Sequence, residues 1–347
     1  MSTDTSQKGH STQAGNNISG SGLTKLVGMT IVAFAGVVLL SLWGRYPEPG
    51  ILSLKDLQTD ELALRIFVQV RLPRMAGALL LGAVLALAGT VFQYVFANPL
   101  VDSGFLGVSQ GAGLGAIIAM LLGFPFSGLL GLAFVGALLS LAAAVLVARK
   151  IRFGGLVLRL VLAGIAVSSV LSALIALIKF TADPLRELPE ITYWLMGGLS
   201  HVRWHVLALP AGIAFVCATV LVALRWKVGL LALDDAVAKS LAPYADTLRF
   251  VLLVLSVVGT ASVTAYAGIV SWAGLIVPHI ARLIFGADTR RTVPAAIVLG
   301  GLFMALCDTI ARALFPVELP LGVVTALLGS LVFAVMLVFI PIKVARA

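Results

Sequence analysis

The sequence predicts an all-α, polytopic membrane protein of about ten transmembrane helices, and three observations predict it. First, 60% of the 347 residues are hydrophobic and only 11% are charged, against roughly 25% charged in a soluble domain. Second, the mean hydropathy is +1.10, so the chain has too little polar surface to face water on every side. Third, the apolar residues fall into runs of bilayer length, since a spanning helix needs about 20. The 35 glycines fit helices that pack closely in lipid. A net charge of +9 raises the question of nucleic acid. The basic residues instead sit in short breaks between apolar runs, where they set orientation and form no binding face.

Residues 1–22 are rich in Ser, Gly, Thr and Asn and are expected to form a disordered cytoplasmic tail. Residues 23–347 form the transmembrane domain. Spans are expected near 24–43, 72–96, 107–123, 127–148, 156–180, 205–224, 246–265, 269–286, 293–315 and 321–341. Hydropathy alone allows nine to eleven. The first span has no small-residue cleavage site and reads as a retained helix. Cys217 and Cys307 lie inside apolar runs and read as small buried hydrophobes.

With ten spans and the N-terminus inside, fifteen of the 24 Lys and Arg fall on the inner side. That bias places both termini in the cytoplasm. The outer group Arg65, Arg71 and Arg74 runs against the bias.

The chemistry-bearing signals are few. No GxxxxGK[ST] occurs, so ATP is not held here by a P-loop. Gly111, Gly113 and Ala116 fit a loose dinucleotide pattern, but Gly111 and Gly115 also form GxxxG inside a span, and close helix packing is the better reading. His201 and His205, spaced i, i+4 on the outer side, read either as interfacial histidines beside Trp204 or as haem contacts. His279, after Pro278, reads as a packing or hydrogen-bonding residue. No metal site, resident cofactor, or catalytic constellation is visible, and the chain is not expected to be an enzyme. Asp308 and Arg312 share a helix face at i, i+4 and are expected to pair. An ion-coupled transporter needs a relay of ionisable groups across the bilayer; the spans offer none, which weakens that alternative. In the cytoplasmic loop at about 231–243, Asp234 and Asp235 suit a helix N-terminus, and Leu233, Val237 and Leu241 share one face. That segment reads equally as a docking helix for a partner or a helix lying on lipid.

Ordered motifs carry a resemblance over roughly residues 65–341. They are Arg71-Leu-Pro-Arg74, Gly82, Gly89, Gln93, Asn98-Pro-Leu100, Gly104, Gly107 and Gly111-Ala112; then Tyr193-Trp-Leu-Met-Gly-Gly198; then Asp235, Ala238 and Leu241; then Gly274-Leu-Ile-Val-Pro-His-Ile-Ala-Arg282; and finally Asp308, Ala311-Arg312 and Leu319-Pro-Leu-Gly-Val-Val-Thr325. In these the chain resembles the FecCD-type permeases, membrane subunits of ABC importers for siderophores, haem and cobalamin. It departs at Ala242-Pro243, Trp272 and Leu331, which bear on local geometry.

The resemblance implies an iron-chelate or haem permease, alternatively a cobalamin permease, with a cobalamin/iron-chelate permease-like bundle. It implies a homodimer with the pathway at its interface, an ATPase dimer below that uses ATP, and a substrate-binding protein above. Arg71, Arg74 and Arg312 would then dock acidic groups of the binding protein. Asp235, Ala238 and Leu241 would couple to the ATPase. Asn98 and Leu100 would form the cytoplasmic gate. Ser168, Ser169 and Ser172 are the internal polar groups of an otherwise apolar path.

Overall fold

The computed structural model describes residues 8–46, 48–233 and 235–339. The chain is a helical bundle. Eight helices are long and apolar enough to cross a membrane, and two shorter apolar helices, Val108–Leu121 and Ala273–Phe285, complete the set among the described residues. These ten match the expected spans in order, with ends shifted by a few residues.

Helix α1 (Lys8–Leu42) includes the first span. It is continued back to Lys8 over the polar segment expected to be a disordered tail; residues 1–7 lie outside the described residues. Strands β1 (Trp43–Gly44) and β2 (Gly50–Ile51) then pair antiparallel, Trp43 opposite Ile51. Short helices α2 (Leu54–Thr59) and α3 (Glu61–Ile66) follow. Ser53 and Asp56 close a capping box on α2. Asp60 caps α3 by accepting from the Leu62 and Ala63 N–H groups at 2.9 and 3.1 Å. A π-helical turn, Phe67–Arg71, leads into α4 (Leu72–Val95), with Pro73 in its first turn.

The core is laid along α4. Next come α5 (Val108–Leu121), α6 (Phe126–Lys150) and α7 (Leu156–Thr181). Then α8 (Glu187–Leu195), α9 (Trp204–Ala223), α10 (Arg225–Leu230) and α11 (Asp235–Leu241) follow. The last described elements are α12 (Ala245–Ala267), α13 (Ala273–Phe285), α14 (Thr289–Ala313) and α15 (Leu321–Phe339). Two clusters meet on α4. One joins Phe92, Leu106, Ala112 and Ala133 to Leu252 and Val257; the other joins Leu81 and Leu85 to Val206, Val263 and Met304.

Lipid is as apolar as leucine, so helices in it gain from close backbone approach more than from burial. The glycines show this. A methyl on Gly82 would strike the Gly300 carbonyl, and one on Gly89 the Gly274 carbonyl. Gly111 and Gly136 stand backbone to backbone between α5 and α6, and Gly115 stands against Leu132. The packing reading of Gly111 and Gly115 holds. Helix α7, by contrast, leaves Ile165, Val170, Leu174, Leu177 and Phe180 exposed.

Candidate gate, coupling and rim sites

At one end of the bundle, three arginines converge. The π-turn and the Pro73 turn bring Arg71 and Arg74 against β1 and α14. Arg71 donates to the Leu42 carbonyl at 3.3 Å and the Tyr46 carbonyl at 2.8 Å, and the missing side chain of Gly44 leaves room for its guanidinium. Arg74 donates from Nε to Asp308 Oδ1 at 2.8 Å; its Nη2 stands 2.7 Å from the same oxygen and 2.8 Å from Glu318 Oε1. Arg312 Nε lies 3.4 Å from Asp308 Oδ2, and its two Nη groups donate to the Trp43 and Leu40 carbonyls at 2.6 and 2.8 Å. The expected Asp308–Arg312 pair is therefore formed.

The arginines expected to dock acidic groups of a binding protein are engaged within the chain. Arg71 and Arg74 are each 7% exposed and Asp308 is fully buried. The physical reason is desolvation: a carboxylate at the level of Asp308 stands only with cations around it, and these arginines supply them. Three arginines against Asp308 and Glu318 leave one net positive charge. Composition and spacing pointed to Asp308 and Arg312. Glu318 was missed; its signal is a lone acid beside the Leu319-Pro320-Leu321 break.

The opposite end of α4 forms a second site. The helix stops at Val95, Ala97 takes a left-handed φ of 45°, and Asn98-Pro99-Leu100 turns. Asn98 Oδ1 accepts the Leu100 N–H at 2.9 Å, so its side chain fixes the turn. The Leu100 side chain is left 62% exposed at the tip. Gln93 ties the turn to α13. Its Nε2 donates to the Leu275 carbonyl at 3.1 Å and to the Val101 carbonyl at 3.3 Å, while its Oε1 accepts from Arg282 Nη2 at 2.6 Å. Arg282 in turn stands 6.0 Å over the Tyr94 ring, and the Tyr94 hydroxyl donates to the Ala287 carbonyl at 2.7 Å. Trp272 begins α13 with a left-handed φ of 75°, a strained setting for a non-glycine; its indole meets Phe333 edge-on at 6.2 Å, over Gly329. Asp102 was missed. It accepts from the Ser103 N–H at 2.7 Å and hydroxyl at 3.2 Å, and burial raises its carboxyl pKa above the ordinary value.

The Tyr193–Gly198 motif is a structural seat. Gly197, at φ 71°, and Met196 accept the N–H groups of Leu321 and Gly322 at 2.9 Å, and Gly198 donates to the Ala267 carbonyl at 2.8 Å. In the coupling segment, Ala238 is buried while Leu233, Val237 and Leu241 are exposed at 43, 46 and 60%. Asp234 and the side chain of Asp235 lie outside the described residues. On α7, Ser168 lies near Gly107, whereas Ser169 and Ser172 are exposed. His201 lies before α9 and tilts on Phe126 at 5.7 Å, and His205 is exposed in the first turn. The two are not on one helix, and no group of three His, Cys, Asp or Glu suited to a metal occurs among the described residues. His279 is a packing residue, its Nδ1 2.8 Å from the Leu275 carbonyl.

Ten apolar helices in one bundle, with a pinned turn at one end and a charge-braced rim at the other, define a polytopic membrane protein. A family model described as the FecCD transport family matches residues 26–339. The molybdate import system permease protein MolB of Haemophilus influenzae is 35% identical over 322 residues, covering 91% of this chain and 94% of that one. The hemin transport system permease protein HmuU of Yersinia pestis is 34% identical over 288 residues, covering 80% and 84%. A solved structure described as an inward-facing conformation of a metal-chelate type ABC transporter superposes with a TM-score of 0.84 at 34% identity, covering 91% of this chain and 99% of that one. The chain belongs to the FecCD transport family and is an ABC importer permease.

Proposed function

We propose that this permease moves an iron chelate, a siderophore complex or haem, across the bacterial inner membrane, with cobalamin as the alternative cargo. The observation that carries it is α7: its exposed surface is aliphatic and aromatic, relieved by Ser169 and Ser172 along its length and by Thr181 at its end. A bulky chelate with an organic shell slides along such a wall. A small, strongly hydrated oxyanion such as molybdate, the cargo named for MolB, loses its water there with no donors in exchange. Two copies of the chain face each other across α7. Leu100, one from each copy, closes the inner mouth, with Asn98 setting its turn.

A separate ATPase dimer docks on the α11 face, where Leu233, Val237 and Leu241 present an exposed apolar stripe. Both termini lie on that side. A binding protein delivers cargo to the other rim, where the braced arginines shape the surface; to pair with it directly they must release the partners they hold. The function is tested by reconstitution with the ATPase and binding protein into vesicles. Uptake of a ferric siderophore or haem, with molybdate excluded, is expected; molybdate uptake alone overturns the cargo. In the same vesicles Leu241→Asp is expected to leave the permease inserted and to cut uptake at least tenfold, because a charge enters an apolar contact. Unchanged uptake removes α11 from coupling.

A further inference from the structure

At one face of the bundle α9 gives way to α10, and α14 begins beside them. Arg225 and Trp226 open α10, and Arg290 is the second residue of α14. The two helices pack closely: a methyl on Gly229 would meet the Thr289 hydroxyl at 3.0 Å. An open groove of about 550 Å³ is lined there by Ala223, Arg225, Trp226 and Arg290.

The groove is cationic. Among the described residues neither arginine pairs with a carboxylate. Arg225 donates from Nη1 to the Val222 carbonyl at 2.8 Å, and its Nε is shielded without a hydrogen-bond partner among the described residues. The neighbouring acid, Asp288, is engaged as the cap of α14, accepting the Arg290 backbone N–H at 3.0 Å. Trp226 is braced by Lys227, whose Nζ stands 5.4 Å from the indole centroid and 5.5 Å from that of Tyr244.

The wall leading away from the groove is apolar. On α9, Leu209, Val216 and Val220 are 73, 61 and 37% exposed. With Ala223 they recur at helical spacing and form one stripe. That stripe runs along a membrane span and ends at the groove. One line therefore presents hydrocarbon, then an indole at headgroup depth, then two guanidinium forks of the kind that hold phosphate.

We infer that this groove binds the phosphate of an anionic phospholipid whose acyl chain lies on the α9 stripe. Continuity with the stripe selects lipid: a soluble anion would use the arginines and leave the stripe bare, and an acidic partner protein would not need the span. Basic pockets between spans at the membrane face have the required chemistry.

The test uses the purified, delipidated full chain and native mass spectrometry with phosphatidylglycerol, phosphatidylcholine or inorganic phosphate as probe. Wild type is expected to retain phosphatidylglycerol in preference to phosphatidylcholine. Arg225→Gln with Arg290→Gln should retain roughly thirtyfold less, from two lost basic contacts at the membrane face; the paired Lys variant should fall between. The Gln variant should melt with wild type in phosphatidylcholine, and phosphatidylglycerol should raise only the wild-type melting temperature. Equal retention of the two lipids by wild type overturns the inference and needs no variant. So does displacement of the lipid by inorganic phosphate, which assigns a soluble anion. Normal lipid retention by the Gln variant with lost ATPase binding assigns the groove to protein docking instead.

Discussion

The rim arginines show how far a residue's environment changes its meaning. Read along the chain, Arg71 and Arg74 are outer charges placed against the topology bias, and Arg312 is the helical partner of Asp308. In the fold they are the counter-charges of Asp308 and Glu318 and the donors to four carbonyls around β1. Removing one partner of a buried pair costs about 3–5 kcal/mol, whereas replacing both by apolar groups is often near neutral. Arg74→Ala is therefore expected to lower thermal stability in detergent sharply, and Arg74→Leu with Asp308→Leu to recover much of it. Wild-type stability of Arg74→Ala, with binding-protein affinity lost, would return these arginines to docking. Asp102 gives a second test. Its pKa is raised by burial, so the folded state favours the protonated form. The stability this contributes is full below the ordinary carboxylate value and is lost as pH rises through the raised one. Thermal unfolding followed against pH should show that loss in wild type and a flatter profile in Asp102→Asn; equal slopes would discard the group.

At the scale of the element, helix contacts are set by what is absent. The α4–α13 crossing brings Gly89 against the Gly274 backbone, four residues from Gln93 and its bonds to α13. Gly89→Ala places a methyl inside the Gly274 carbonyl. The helices must separate, at about 1–3 kcal/mol or more for overpacking, and the Gln93 tie to Leu275 lengthens with them. The expected result is a lower melting temperature together with impaired uptake at permissive temperature. Gly131→Ala, which meets nothing within 4 Å, is the control. Equal behaviour of the two variants would show that the crossing tolerates a methyl. The Gly111-to-Ala116 stretch belongs to the same scale: its GxxxG spacing was readable, but its partner, Gly136 on α6, emerges only from the fold.

At the scale of the whole molecule, orientation is the property the sequence argues most directly, through the excess of basic residues on one side. The structure puts α10 beside the start of α14, with Gly229 against Thr289, and α11 follows α10 in the same loop. Cys217 and Cys307 are buried, so an engineered thiol can be read against a quiet background. Ser240→Cys, at an exposed position, is expected to react with an impermeant maleimide in opened cells and stay silent in intact ones. Labelling of intact cells would invert the assigned topology and move the α11 dock to the other side.

The order and approximate ends of the spans, and their number to within one, were determined by the sequence alone. Lipid imposes a length and an apolar content on each helix separately, and those constraints are local. The motif order likewise identified the family and marked Asn98, Gln93, Asp308 and Arg312. The tertiary structure alone decided which charges meet: that Arg74 bridges Asp308 and Glu318, that Gln93 joins the Asn98 turn to α13 and Arg282, and that His201 and His205 do not share a helix. Those outcomes depend on residues as far apart as 74 and 308, brought together by helix crossings whose angles rest on glycine-to-backbone contacts. In a bilayer no hydrophobic pattern distinguishes a helix face turned to a neighbour from one turned to lipid. The face each span buries is therefore fixed by packing, and with it the fate of every charge the span carries.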